Sequence, residues 1–178
     1  MKETEVIHFR SACGRYGVSF RWALLGKMLH ECRDAGLNET GGIVWGKYNS
    51  NLDDAAITGF SKAPRDSQMG RFSFKRGIAG LQTMLHSLWR KNDREYYLGE
   101  WHFHPFALPV PSSTDRQQMF AHANDSKLQC PEPIMIIIGG DPCRDWDVNV
   151  TVYTRKKEVH ALLPQENNWK LDCHEEND

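Results

Sequence analysis

The stretch that most constrains this chain is 133–140, which encloses the unbroken apolar run Ile134, Met135, Ile136, Ile137, Ile138. A strand wet on one face alternates apolar and polar residues; a run with no polar position must be covered on both. The run is also far too short for a membrane helix, which needs ~20 apolar residues. A sheet with material packed on both sides is therefore required, and the rest of the chain supplies it. Residues 21–33 carry Trp22, Leu25, Met28, Leu29 and Cys32 at helical spacing, with Gly36 as a stop. Residues 76–90 repeat the pattern with Ile78, Leu81, Leu85 and Leu88, and 112–123 reads as a shorter helix. Strands are expected at 5–10, 43–48, 55–60, 96–104, 147–154 and 158–163, and the intervening 61–75 reads as a loop. Interspersed strands and helices predict an α/β fold, a mixed sheet flanked by helices.

Composition removes several function classes. Lys plus Arg is 22 and Asp plus Glu is 23, a net charge of -1. That argues against a nucleic-acid partner, whose binders are commonly basic. No segment suits a membrane, and the acidic start MKETEVIHFR predicts no secretory leader. The five cysteines are odd in number and form no C-x-x-C pair, so reduced thiols in the cytoplasm are expected. From Gln165 onward the chain carries five acids and one Lys, which reads as a solvated, flexible tail (165–178) beyond a domain of 1–164.

The chemistry concentrates in GEWHFHPFALPVPSSTD, residues 99–115. His102 and His104 are two apart on an expected strand, so both imidazoles face one way. Seven residues separate His104 from Ser112, and Asp115 follows three later. Prolines at 105, 109 and 111 stiffen that loop and can return Asp115 over the histidines. Two His and one Asp make a three-ligand zinc site with a position left for water. A nucleophilic water also needs a base. Glu39 opens E-T-G-G-I-V-W-G before an expected strand, where Gly41, Gly42 and Gly46 permit close backbone approach. Taken alone, Ser112 and Asp115 read as a helix cap and Glu39 as a solvated carboxylate.

Together, Glu39 in its ExxGxxxG context, His102-x-His104-Pro105, Ser112 and Asp115 resemble the JAMM motif of JAB/MPN metalloproteases. The likeness spans about residues 5–163, and the wording G-E-W-H-x-H-P is similar to small prokaryotic JAB proteins. Those include the deconjugating protease of CBASS anti-phage operons. The resemblance implies a single MPN/JAB-type domain holding one Zn²⁺ per chain through His102, His104 and Asp115. It implies Glu39 as general base and Ser112 as oxyanion donor. The implied reaction is hydrolysis of an isopeptide or peptide bond after the C-terminus of a ubiquitin-like modifier or a conjugated nucleotidyltransferase, with a protein as substrate. The motif departs at Phe103, where many members carry Ser or Thr; Phe103 is expected to face away from the metal. Trp101, Arg71 and Phe72 are candidate substrate contacts, against ordinary core and surface roles. Spacing sets other His-x-His families aside: positions 106 and 107 are Phe and Ala, and 108 is Leu. A non-catalytic MPN scaffold, or a JAB protein acting on a sulfur-carrier or DNA-associated partner, is the competing reading. Scaffolding members commonly lack a ligand, and none is missing here.

Overall fold

The computed structural model describes residues 5–165. The tail at 166–178, with Cys173, lies outside them. In chain order the elements are β1 (Val6–Ser11), β2 (Gly17–Arg21), α1 (Trp22–Ala35), β3 (Thr40–Tyr48), β4 (Asp54–Phe60), β5 (Gln68–Gly70) and β6 (Ser73–Lys75). There follow α2 (Leu81–Trp89), β7 (Tyr96–Pro105), α3 (Ser113–Asn124), β8 (Ile134–Gly140), β9 (Trp146–Tyr153) and β10 (Val159–Pro164). The main strands close in the order β1-β10-β9-β8-β7-β3-β4-β2, and β5 and β6 form a separate hairpin. The sheet is mixed as expected: β7–β8 and β2–β4 are parallel, and the other pairings antiparallel.

The apolar run behaves as its composition demands. Ile134, Ile136 and Ile138 enter one cluster with Phe9, Val44, Leu98, Trp101, Phe103 and Val150. Helix α1 delivers Leu25, Met28, Leu29 and Cys32 to the same cluster. Met135 and Ile137 point the other way, to Met119 of α3 and Tyr153. Helix α2 covers a third patch through Leu81, against Ile43, Tyr97 and Cys130. Each fully buried Ile contributes roughly 1.5–3 kcal/mol, so this strand couples the helices on its two faces.

Three local expectations need correction. Strand β2 falls where the sequence predicts none; its residues GVSFR are too few to show a clear period. The segment 61–75 is not all loop, because β5 and β6 pair through Gln68–Lys75, Met69–Phe74 and Gly70–Ser73. Helix α2 begins at Leu81 rather than 76, and Ile78 is 74% exposed. The cause is Asp66, whose carboxylate accepts from the backbone N–H groups of Ile78 and Ala79 and holds them in a turn.

One irregularity sets the faces of β7. Val44 pairs with Gly99 but Trp45 pairs with Tyr97, so Leu98 is an extra residue, a β-bulge. The bulge shifts the alternation by one. Leu98, Trp101 and Phe103 all enter the main core, while Tyr97, Glu100 and His102 share the opposite face. Gly99 sits in the bulge at φ 151°, and a Cβ there would lie 1.8 Å from the Ile134 carbonyl oxygen. Gly26, inside α1, faces open space. Glycine substitutions should therefore act with opposite sign. Gly99→Ala should destabilise by at least about 2 kcal/mol. Gly26→Ala should stabilise by about 0.5–1 kcal/mol. Urea midpoints at constant m-value measure both.

Candidate metal centre

The centre forms at the carboxyl end of β7, where the parallel crossover to β8 begins, a common place for functional groups in sheets of this kind. The alternation of β7 puts His102 and His104 on the face that α3 covers. The proline-bearing loop then brings α3 back over them. Ser112 is the N-cap of α3, and its Oγ accepts from the Asp115 N–H at 3.1 Å. Asp115 Oδ2 in turn accepts from the Ser112 N–H at 2.7 Å. This capping box aims the other carboxylate oxygen, Oδ1, at His102 Nδ1, 3.4 Å away. The helix cap and the carboxylate that faces His102 are thus one device.

The donor set fits a metal ion. His102, His104 and Asp115 each offer a ligand atom, and these atoms lie within 4.8 Å of one another. Two ligand atoms ~2.0 Å from a common ion at a tetrahedral angle stand ~3.3 Å apart, close to the Nδ1–Oδ1 separation. His102 is 4% exposed and its Nε2 is buried without a hydrogen-bond partner. His104 is half-buried at the rim.

The electrostatics are those of a site built for positive charge. Burial alone pulls the His102 pKa down, but the Asp115 and Glu100 carboxylates outweigh it and raise it to about 9. Burial likewise opposes the charge on Asp115, yet His102 and the Ser112 contacts hold its carboxyl well below the usual range. At His104 burial, with the His102 charge adding to it, outweighs the Asp115 carboxylate and lowers the pKa.

Glu39 precedes β3, and Thr40 pairs with Phe103, so Glu39 stands level with His104. Gly41, on the same face, pairs with His102; a Cβ there would lie 2.3 Å from the Trp101 carbonyl oxygen and 2.9 Å from the His102 ring. The glycine therefore lets β3 lie close enough for Glu39 to share the site. Burial, with the Asp115 charge adding to it and His102 opposing, raises the Glu39 pKa.

The remaining predicted residues divide. Phe103 is fully buried in the main core, facing away from the metal group as expected. Trp101 is not available to substrate: it is fully buried, and its Nε1–H donates to the Ser61 carbonyl at 2.8 Å. Arg71 and Phe72 occupy the turn of the β5–β6 hairpin, with Phe72 85% exposed. That hairpin borders the centre. The Glu39 N–H donates to the Gly70 carbonyl at 2.8 Å, and Phe74 packs edge-on against His102 at 5.3 Å between centroids.

Sequence reasoning misses a buried group behind His102. Glu100 is 0% exposed and receives Arg76 Nε and Nη2 at 3.0 and 2.8 Å. His122, which has no ligand spacing in the sequence, lies 3.3 Å from it and 2.9 Å from the Tyr97 hydroxyl. Burial opposes the charge on Glu100, but His102 and Arg76 hold its pKa down to about 2. The available signal is phase: positions 100, 102 and 104 alternate together on one strand. A cleft of about 620 Å³ lined by Tyr48, Trp89, Tyr96 and Lys127 lies at the other end of β3 and β7, away from these groups.

Comparison with known proteins identifies the family. Residues 23–149 match the family model described as prokaryotic homologues of the JAB domain. The chain is 40% identical over 149 residues to a CD-NTase/cGAS isopeptidase of Enterobacter hormaechei subsp. hoffmannii, covering 84% of this chain and 82% of that protein. It is 32% identical over 106 residues to the probable metalloprotease y4qB of Sinorhizobium fredii, 58% of this chain and 64% of the relative. The solution structure of protein DSY2949 from Desulfitobacterium hafniense superposes with a TM-score of 0.59 at 20% identity, covering 83% of this chain and 88% of that one, which shows the shared fold. With the family model spanning most of the chain and a relative 40% identical over most of both chains, the protein belongs to the prokaryotic branch of the JAB domain family.

Proposed function

We propose that this chain is a zinc-dependent isopeptidase that releases a conjugated nucleotidyltransferase C-terminus, or a ubiquitin-like modifier, from target proteins in anti-phage defence. The observation that carries the reading is the convergence of His102, His104 and Asp115, with Glu39 on the same face. The substrate class is supported by the 40% identical relative named CD-NTase/cGAS isopeptidase. Residues 1–164 are the catalytic unit in this reading, and one zinc is bound per chain. No helix among the described residues is long and apolar enough to cross a membrane. Cys13, Cys32, Cys130 and Cys143 are free thiols, which supports a cytoplasmic location.

Zinc held by these residues would polarise the scissile carbonyl and lower the pKa of an attacking water toward ~7. Glu39 takes the proton from that water and returns it to the leaving amine. Its raised pKa makes it a stronger base than a solvated glutamate. Ser112 Oγ accepts from the Asp115 N–H, so its own hydroxyl proton is left to stabilise the carbonyl oxygen as charge builds there. The hairpin turn with Arg71 and Phe72 offers an exposed apolar and cationic edge to the peptide approaching the site.

The decisive experiment is cleavage of fusions joining candidate C-termini, a CD-NTase tail and bacterial ubiquitin-like proteins, to a reporter. One fusion should be cleaved and a chelator should stop it; cleavage that survives the chelator and Glu39→Gln would sink the reading. Glu39→Gln should lower kcat by about 10²–10⁴-fold with zinc still bound by metal analysis. Phe72→Ala and Arg71→Ala should raise KM several-fold with little change in kcat; unchanged KM in both would remove the hairpin turn from the substrate path. Zinc binding should also release protons. Metal-free His102 is protonated at pH 7 because its pKa is raised to about 9, while His104, with its pKa lowered, is neutral. Binding at pH 7 should therefore displace about one proton from His102, and apparent affinity should rise with pH until about 9. Calorimetry in buffers of different ionisation enthalpy measures this, and the proton count should fall toward zero as the pH rises past about 9.

A further inference from the structure

We propose that Glu100 is a positioning residue of the metal centre: its carboxylate holds the His102 ring from behind, keeps Nδ1 turned toward the metal, and ties that ring to the β5–β6 hairpin through Arg76. The inference rests on the metal-centre reading above.

The geometry is specific. His102 Nδ1 faces Asp115 Oδ1 at 3.4 Å, on the metal side. The opposite ring nitrogen, Nε2, is buried, has no hydrogen-bond partner, and faces Glu100 Oε2 at 3.7 Å. A ring that gives Nδ1 to a metal carries its proton on Nε2, and a buried N–H needs an acceptor. A ring movement under ~1 Å brings that pair within hydrogen-bond range. Carboxylates in this position are a recurrent means of orienting metal-bound imidazoles.

Glu100 is itself held in place. Its Oε1 takes both Arg76 nitrogens, and its Oε2 accepts from Gln118 Nε2 of α3 at 3.2 Å. The bulge at Leu98 is what puts Glu100 on this face, in line with Tyr97 and His102. Arg76 follows β6 directly and donates from Nη1 to the Gly77 carbonyl at 2.9 Å. Gly77 in turn donates to Ser67 Oγ at 2.9 Å. The far strand of the hairpin is thereby moored to the same carboxylate that backs the ligand, while the near strand is bonded to Glu39. Gln118 holds Oε2 in place, and that oxygen also faces His102 Nε2 at 3.7 Å.

Zinc affinity of the full chain, measured by competition with a chromophoric chelator and without substrate, tests this. Glu100→Gln should weaken zinc binding by about 10–100-fold and shift the visible absorption of the cobalt-loaded protein. Arg76→Gln should lower Tm and leave zinc affinity within about threefold. A purely structural Glu100 would lower Tm with zinc affinity unmoved, which overturns the proposal. Nitrogen-15 spectra of the zinc-loaded wild-type protein decide the matter even where Glu100→Gln fails to fold. Metal-bound Nδ1 with a protonated Nε2 supports the assignment, and metal-bound Nε2 overturns it. Wild-type protein that binds zinc no better than His102→Ala overturns the metal reading itself and this proposal with it. Wild-type protein that binds one zinc, alongside Glu100→Gln binding it equally well, overturns the positioning role alone.

Discussion

The pairing of β3 with β7 is the constraint on which the site depends. Gly41 lies opposite His102, and any side chain there would strike the Trp101 carbonyl, the His102 ring and Phe74. Gly42 faces the Ser61 carbonyl in the same way, 2.3 Å from where its Cβ would be. Without a side chain at Gly41 β3 lies flush against β7, and without one at Gly42 it lies flush against Ser61, to which Trp101 donates from the core side. Because the strands register there, Glu39 arrives level with His104 without any contribution from a flexible loop.

Two further features convert that pairing into a chemical centre. The bulge at Leu98 changes the phase of β7, so Glu100 and His102 follow Tyr97 onto one face while the apolar residues fill the core. The capping box at the start of α3 then aims a carboxylate at the histidine using backbone hydrogen bonds that the helix needs in any case. Burying the charges on Glu100, Asp115 and His102 would be costly individually. They are tolerated because each faces an opposite charge or a fixed donor, with Arg76 and Ser112 completing the set.

Much of this arrangement is legible in the order of residues alone. The apolar run of β8 demands cover on both faces, and α1 and α3 deliver side chains to them. The His-x-His spacing declares a shared face, and the Ser-x-x-Asp cap returns Asp115 to it. Other parts are not legible. The three-residue strands β5 and β6 carry too few positions to show a period. Helix α2 starts late because Asp66, distant in sequence, captures the N–H groups of Ile78 and Ala79. Trp101 beside His102 invites a role at the site, but alternation sends neighbours on a strand to opposite faces, and the indole goes to the core.

Local sequence accounts for the class of fold and for the gathering of His102, His104 and Asp115. Residue type and short-range spacing suffice for both, because strand alternation and helix capping act within a few residues. Long-range packing supplies the surroundings of that group: Glu100 behind His102, Arg76 and Gln118 around Glu100, and the hairpin beside Glu39. Those contacts join residues brought together by strand register, the bulge at Leu98 and helix placement, and such long-range juxtapositions leave no periodic trace along the chain.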